Sequence, residues 1–271
     1  MLTRALSGIV FVAIVIGCIM WNHLSFVLLL IFVNAVGQYE LYRNVEKQGK
    51  ANLHGMDIAV MAVTSIAVLM YSNTLFSSQN EAYFLLIPAM IFAIFLRPVF
   101  TEMENGLNTL AYLGLGIVYV TLPMLMLQHW ALVDGEYAYT YLIGGLVLIW
   151  ANDVFAYLTG KFLGRHKMIE RVSPKKTWEG TIGGFVFAIA AAFIYAYLTD
   201  QPILQWAGFG LLCGLCATLG DLVESVIKRS LGVKDMGNIM PGHGGILDRF
   251  DALIFAAPFG AVYVQLVFLA S

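Results

Sequence analysis

Charged side chains are scarce in this sequence: Lys, Arg, Asp and Glu make up 12% of its 271 residues, while 60% are hydrophobic. A soluble domain carries about 25% charged residues, so the solvent for most of this chain is lipid. A basic excess is missing too. The net charge is -2, without the basic excess that suggests binding along a nucleic-acid backbone, and no nucleic-acid partner is expected. Cysteine is nearly absent. Cys18, Cys213 and Cys216 lie within apolar stretches, where neither a disulfide framework nor a zinc site is built. Cys213 and Cys216 form a CxxC with no second pair, and the run Gly208-Phe-Gly-Leu-Leu-Cys-Gly-Leu-Cys-Ala reads as small residues for close helix packing. Low-complexity linkers and fixed-period repeats are also missing. Met1 to Met20 carries one Arg and an apolar run but no small-x-small cleavage site, so it reads as a retained first span.

What is present is a series of apolar runs. A membrane-crossing helix needs about 20 mostly apolar residues. Nine runs qualify, at 5–20, 24–41, 57–71, 82–96, 107–127, 138–158, 181–198, 203–223 and 251–270. The expected fold class is all-α, a polytopic transmembrane helical bundle of nine spans. Its orientation follows from the basic residues. With the N-terminus in the cytoplasm, all 15 Lys and Arg fall on the cytoplasmic side. The opposite loops hold Glu81, Asp134, Glu136 and Asp200 but no Lys or Arg. The positive-inside rule is then obeyed without exception, and the C-terminus lies outside. Residues 1–137 form an N-terminal set of spans with short connections. Residues 138–271 form a second region whose cytoplasmic loops, 159–180 and 224–250, are long and charged. Function is expected in those loops.

The richest segment is Gly220-Asp221-Leu-Val-Glu224-Ser225-Val-Ile-Lys228-Arg229. On a helix, Asp221, Glu224, Ser225 and Lys228 share one face, with Arg229 beside them. Carboxylates at a membrane edge are costly unless paired or bound to metal, and hard oxygen ligands suit Mg2+. The alternative is an ion-pair ladder that neutralises a helix end. The chain continues through Lys234 and Asp235 to Pro241-Gly242-His243-Gly244-Gly245, a loop whose backbone amides could cradle phosphate oxygens. Asp248 and Asp251 follow one helical turn apart at the start of the last span, with Arg249 between them; they cap that helix or bind a ligand. Upstream, Ser173-Pro-Lys175-Lys176-Thr177-Trp-Glu-Gly sets two lysines and two hydroxyls before a helix start, a natural seat for an anionic group. Asp153 sits within an apolar helix, as a functional group or as half of a buried hydrogen-bonded pair. Gln38 and Glu40, close before Arg43, read as a solvated or locally paired face. His23, His54 and His129 are isolated and carry no metal-ligand spacing.

The stretch Ser225-xx-Lys228-Arg229-xxxx-Lys234-Asp235 through Pro241-x-His243-Gly244-Gly245-xx-Asp248-Arg249-x-Asp251 resembles the signature of the phosphatidate cytidylyltransferases. The Ser173-Pro-Lys-Lys-Thr-x-Glu-Gly octet and the Asp153-xx-Ala-Tyr-xx-Gly pattern are similar to upstream segments of the same family. The resemblance implies that CTP and phosphatidic acid give CDP-diacylglycerol and diphosphate, with Mg2+ and a homodimer. It also implies metal ligation through Asp221 and Asp248. On that chemistry, Asp221 and Asp248, with Glu224, Ser225 and Asp251, are expected to hold one or two Mg2+ ions, and a monovalent cation is a further candidate. Lys175, Lys176, Lys228, Arg229, Lys234 and Arg249 would clamp phosphates. Asp235 lies in the same catalytic stretch, and Ser173 and Thr177 flank the lysines. Gly242, Gly244 and Gly245 would close over the nucleotide, and His243 would contact a phosphate or relay a proton. Asp153 would be a further metal or lysine partner. The expected setting is a bacterial inner membrane with the active site facing the cytoplasm. Competing readings are a CTP-dependent lipid or polyprenol kinase and a proton-coupled transporter, the latter disfavoured by the missing repeats and the one-sided polar residues.

Overall fold

The computed structural model describes residues 2–53, 55–76, 88, 89, 92, 96, 106–239 and 244–269. Among them the protein is mostly helical: α1 Leu2–Trp21, α2 His23–Lys47, α3 Met56–Phe76, α4 Gly106–Gly116, α5 Leu122–Leu127, α6 Thr140–Leu163, α7 Trp178–Leu198, α8 Ile203–Ser230 and α9 Leu247–Tyr263. Short strands β1 Leu132–Val133, β2 Glu136–Tyr137, β3 Lys167–Ile169 and β4 Ser173–Thr177 lie between helices. Seven helices among the described residues are long and apolar enough to cross a bilayer. The first expected span corresponds to α1, whose apolar portion is the shorter Ser7–Trp21. The expected span at 82–96 falls almost wholly outside the described residues.

The chain divides into two compact units. The first comprises Met1–Gln128, Asp134–Tyr137 and Leu231–Arg249. Here α2 begins with a capping box: Asn22 Oδ1 accepts the Ser25 amide at 2.8 Å, and Ser25 Oγ accepts the Asn22 amide at 3.2 Å. α4 passes through a π-turn at Ile117–Thr121 into α5, whose Pro123 lacks an amide hydrogen for a regular ladder. A polar network joins α2, α3 and this π-turn. Asn34 Nδ2 donates to Thr64 Oγ1 at 3.1 Å, Thr121 Oγ1 donates to Asn34 Oδ1 at 2.7 Å, and Gln38 Nε2 donates to Thr121 Oγ1 at 2.6 Å. Gln38 and Glu40 are therefore not the solvated face that their closeness to Arg43 suggests. Both are buried, because their helix turns them toward acceptors and donors on other segments while Arg43 turns outward to Tyr39.

The second unit comprises His129–Val133, Ala138–Ser230 and Phe250–Ser271. Its helices α6, α7 and α8 pack closely because small residues line the contacts. A Cβ on Gly180 would meet Ala156 O at 2.8 Å, and one on Gly184 would meet Asn152 Oδ1 at 2.7 Å. At one end, Tyr141, Trp206, Phe209 and Phe268 form a cluster of ring contacts. Cys213 and Cys216 are buried thiols within this packing, without a disulfide. The two charged loops are shorter than their composition suggests. α6 runs on to Leu163 and α8 to Ser230, and the segment between α6 and α7 holds an antiparallel β3–β4 hairpin with Lys167 opposite Thr177 and Ile169 opposite Ser173.

Candidate active site

In the second unit, α8 carries the acidic face foreseen from its spacing. Asp221 and Glu224 from α8 and Asp251 from α9 place carboxylate oxygens within 4.8 Å of one another. Gly220 makes this approach possible. A Cβ there would lie 2.7 Å from Asp251 O and 2.8 Å from Phe255 Cβ, so the backbones of α8 and α9 meet next to Asp221. Asp251 also feels the charge of Asp153 on α6, whose Oδ1 accepts from Asn152 Nδ2 at 3.2 Å.

Two ammonium groups face this cluster. Lys176 Nζ lies 2.7 Å from Asp221 Oδ2 and donates to Thr218 O at 3.1 Å. Lys228 pairs with Glu224 one turn along α8. The cluster has a closed end and an open one: the Glu224 side chain is 1% exposed and that of Asp221 41%.

The hairpin aims Lys176. Along β4, Lys175 is exposed and Lys176 half-buried. Thr177 Oγ1 accepts the Gly180 amide at 3.2 Å and caps α7. Glu179, in the first turn of α7, accepts the amides of Arg165 at 3.0 Å and His166 at 3.2 Å, and pairs with His166 Nδ1 at 2.5 Å. Both ends of the hairpin are thereby held. Ser225 is buried beside Glu224, Ser173 is half-buried, and Arg229 is exposed.

The donor set fits Mg2+. Oxygens around one such ion at about 2.1 Å lie no more than about 4.2 Å apart, close to the 4.8 Å within which these carboxylate oxygens lie.

In the first unit, the segment after α8 carries other foreseen residues. Asp248 Oδ2 accepts the amides of Met236 at 2.9 Å and Gly245 at 2.8 Å. Gly244 has φ +86°, a backbone that a side chain would strain. Lys234, Asp235 and Arg249 are exposed. Gly242 and His243 lie outside the described residues. One residue was missed. Glu40 of α2 accepts the amides of Ile246 and Leu247, each at 3.0 Å, and so caps the start of α9. The available signal was its place on the stripe Leu30, Val33, Gly37, Glu40, a helical spacing of otherwise apolar or small residues.

Residues 2–267 match the family described as the cytidylyltransferase family. The chain is 34% identical over 266 residues to the phosphatidate cytidylyltransferase of Bacillus subtilis (strain 168), covering 95% of this chain and 94% of that protein. It is 38% identical over 161 residues to the Staphylococcus aureus (strain COL) protein of the same name, covering 59% and 58%. The Brucella abortus biovar 1 (strain 9-941) protein, also so named, is 39% identical over 141 residues, covering 49% and 51%.

Proposed function

We infer the reaction from the premise that this chain belongs to the cytidylyltransferase family: it transfers the cytidylyl group of CTP to phosphatidate, giving CDP-diacylglycerol and diphosphate. The observation that carries the proposed chemistry is the Asp221, Glu224 and Asp251 cluster with Lys176 at its rim.

Both reactants are polyanions, so catalysis is mainly positioning and charge neutralisation. Asp221, Glu224 and Asp251 would hold Mg2+, with Ser225 and Asp153 as further candidates. Asp248 is named as a further ligand by the family resemblance alone, its Oδ2 being held by the amides of Met236 and Gly245. A divalent cation held by these residues would supply positive charge against the triphosphate and the departing diphosphate. Lys176 and Lys228 exchange their carboxylate partners for phosphate oxygens as nucleotide arrives. Lys175, Arg229, Lys234, Arg249 and Ser173 bind the remaining phosphate charge, and the glycines at 242, 244 and 245 let the backbone approach the nucleotide, with the Gly245 amide staying on Asp248. The lipid phosphate is ionised near neutral pH and attacks the α-phosphate in line, so no strong general base is needed.

Nine spans with a cytoplasmic N-terminus, an inner-membrane location, a cytoplasm-facing site, a homodimer and a monovalent cation complete the proposal. Seven described spans, the one-sided Lys and Arg residues and the bacterial relatives support its membrane part. The deciding experiment follows label from α-labelled CTP into lipid with detergent-purified protein. Label is expected in lipid only when phosphatidate and Mg2+ are both present. Label entering lipid from γ-labelled CTP instead overturns the reading in favour of a kinase.

A further inference from the structure

We propose that Glu40 is a positioning residue for the reaction, holding in place the segment that carries Asp248 and Arg249. This rests on the cytidylyl-transfer reading for its kinetic arm only. Glu40 lies on α2 and is 3% exposed. Its two carboxylate oxygens accept from successive backbone amides, Oε1 from Ile246 and Oε2 from Leu247, each at 3.0 Å. The segment is built around that carboxylate. A Cβ on Gly237 or on Gly245 would collide with it, so both glycines leave the space that Glu40 fills.

A second α2 residue acts with it: Asn44 Nδ2 donates to Met236 O at 2.6 Å. Asp248 then closes the turn internally through the amides of Met236 and Gly245. Glu40 thus fixes the first amides of α9, and through them the direction in which Asp248 and Arg249 leave the helix start. Only a carboxylate meets the requirement, because both facing groups are donors. A Gln would turn an NH2 donor toward one of them.

The test combines hydrogen–deuterium exchange and steady-state kinetics on the full-length protein in detergent. In Glu40→Gln, amides of 244–249 should exchange at least about ten-fold faster while α2 and α3 keep their protection. kcat/KM for CTP should fall roughly 100-fold with KM for phosphatidate little changed, and Glu40→Asp should recover about ten-fold of that loss. Unchanged exchange at 244–249 overturns the proposal. So does faster exchange throughout α2 and α3 with no recovery in Glu40→Asp, since that marks a general structural role. A wild-type protein without cytidylyl transfer would sink the functional reading instead, and exchange at 244–249 would still decide the role of Glu40.

Discussion

Two groups of carboxylates in this protein are built to opposite ends. In the second unit, Asp221, Glu224 and Asp251 converge on one another and on two lysines. In the first, Glu40 and Asp248 point at backbone amides, four of them between the two residues. Clustered carboxylates repel one another and gain from an added cation. Carboxylates that accept amide hydrogens are already neutralised by fixed dipoles and gain from staying where they are. Burial of acid therefore does not identify a site by itself; the partner does. A mobile ammonium group can be exchanged for an incoming ligand, whereas a backbone amide cannot leave.

That contrast is open to attack, most strongly at the convergent cluster. Asp221→Asn or Asp251→Asn should lower kcat by a factor of about 1,000 or more, roughly 4 kcal/mol of transition-state stabilisation, while the protein stays folded in the membrane. Initial rates of label transfer and the melting temperature check both halves; wild-type turnover in both variants would remove the metal from this cluster. At the amide-facing group the order of effects should reverse. Glu40→Ala should cost about 3 kcal/mol of stability, because two buried amides lose their acceptor, measurable as a lowered unfolding midpoint in detergent. Lys176→Met tests whether the rim lysine is exchangeable. It should cost about 30-fold in kcat/KM for CTP, near 2 kcal/mol, with little change in melting temperature. Smallest is Thr177→Ala, which removes the α7 cap and should lower stability by about 1 kcal/mol, read as a modest fall in melting temperature.

The acidic face of α8 was legible because it is local. Residues 221, 224, 225 and 228 repeat at helical spacing, and a helix needs no partner to define which side they share. The pairing of Lys176 with Asp221 was not, since it depends on a hairpin of three- and five-residue strands whose basic residues mask any alternation. The acceptor at the start of α9 was out of reach for a related reason. Asp248 and Asp251 stand at the right place in the chain to cap that helix or to bind a ligand, yet the amides of Ile246 and Leu247 are met by Glu40, 206 and 207 residues away. The spans were read from hydropathy, which marks where lipid contact is needed rather than where a helix stops. α2 accordingly runs to Lys47 and α8 to Ser230, past the ends of their apolar cores.

The amide network of the first unit bears on how the chain enters the bilayer. Asn34 and Gln38 sit within the apolar length of α2, and their partners Thr64 and Thr121 come from later segments. A lone α2 would carry two side-chain amides into hydrocarbon with nothing to meet them. Asn34 Nδ2 gains a partner only once α3 lies beside α2, and Gln38 gains its second only with the Thr121 segment. Inside hydrocarbon this half is thus held by helices that satisfy one another's side chains, and no one of them is a self-sufficient span.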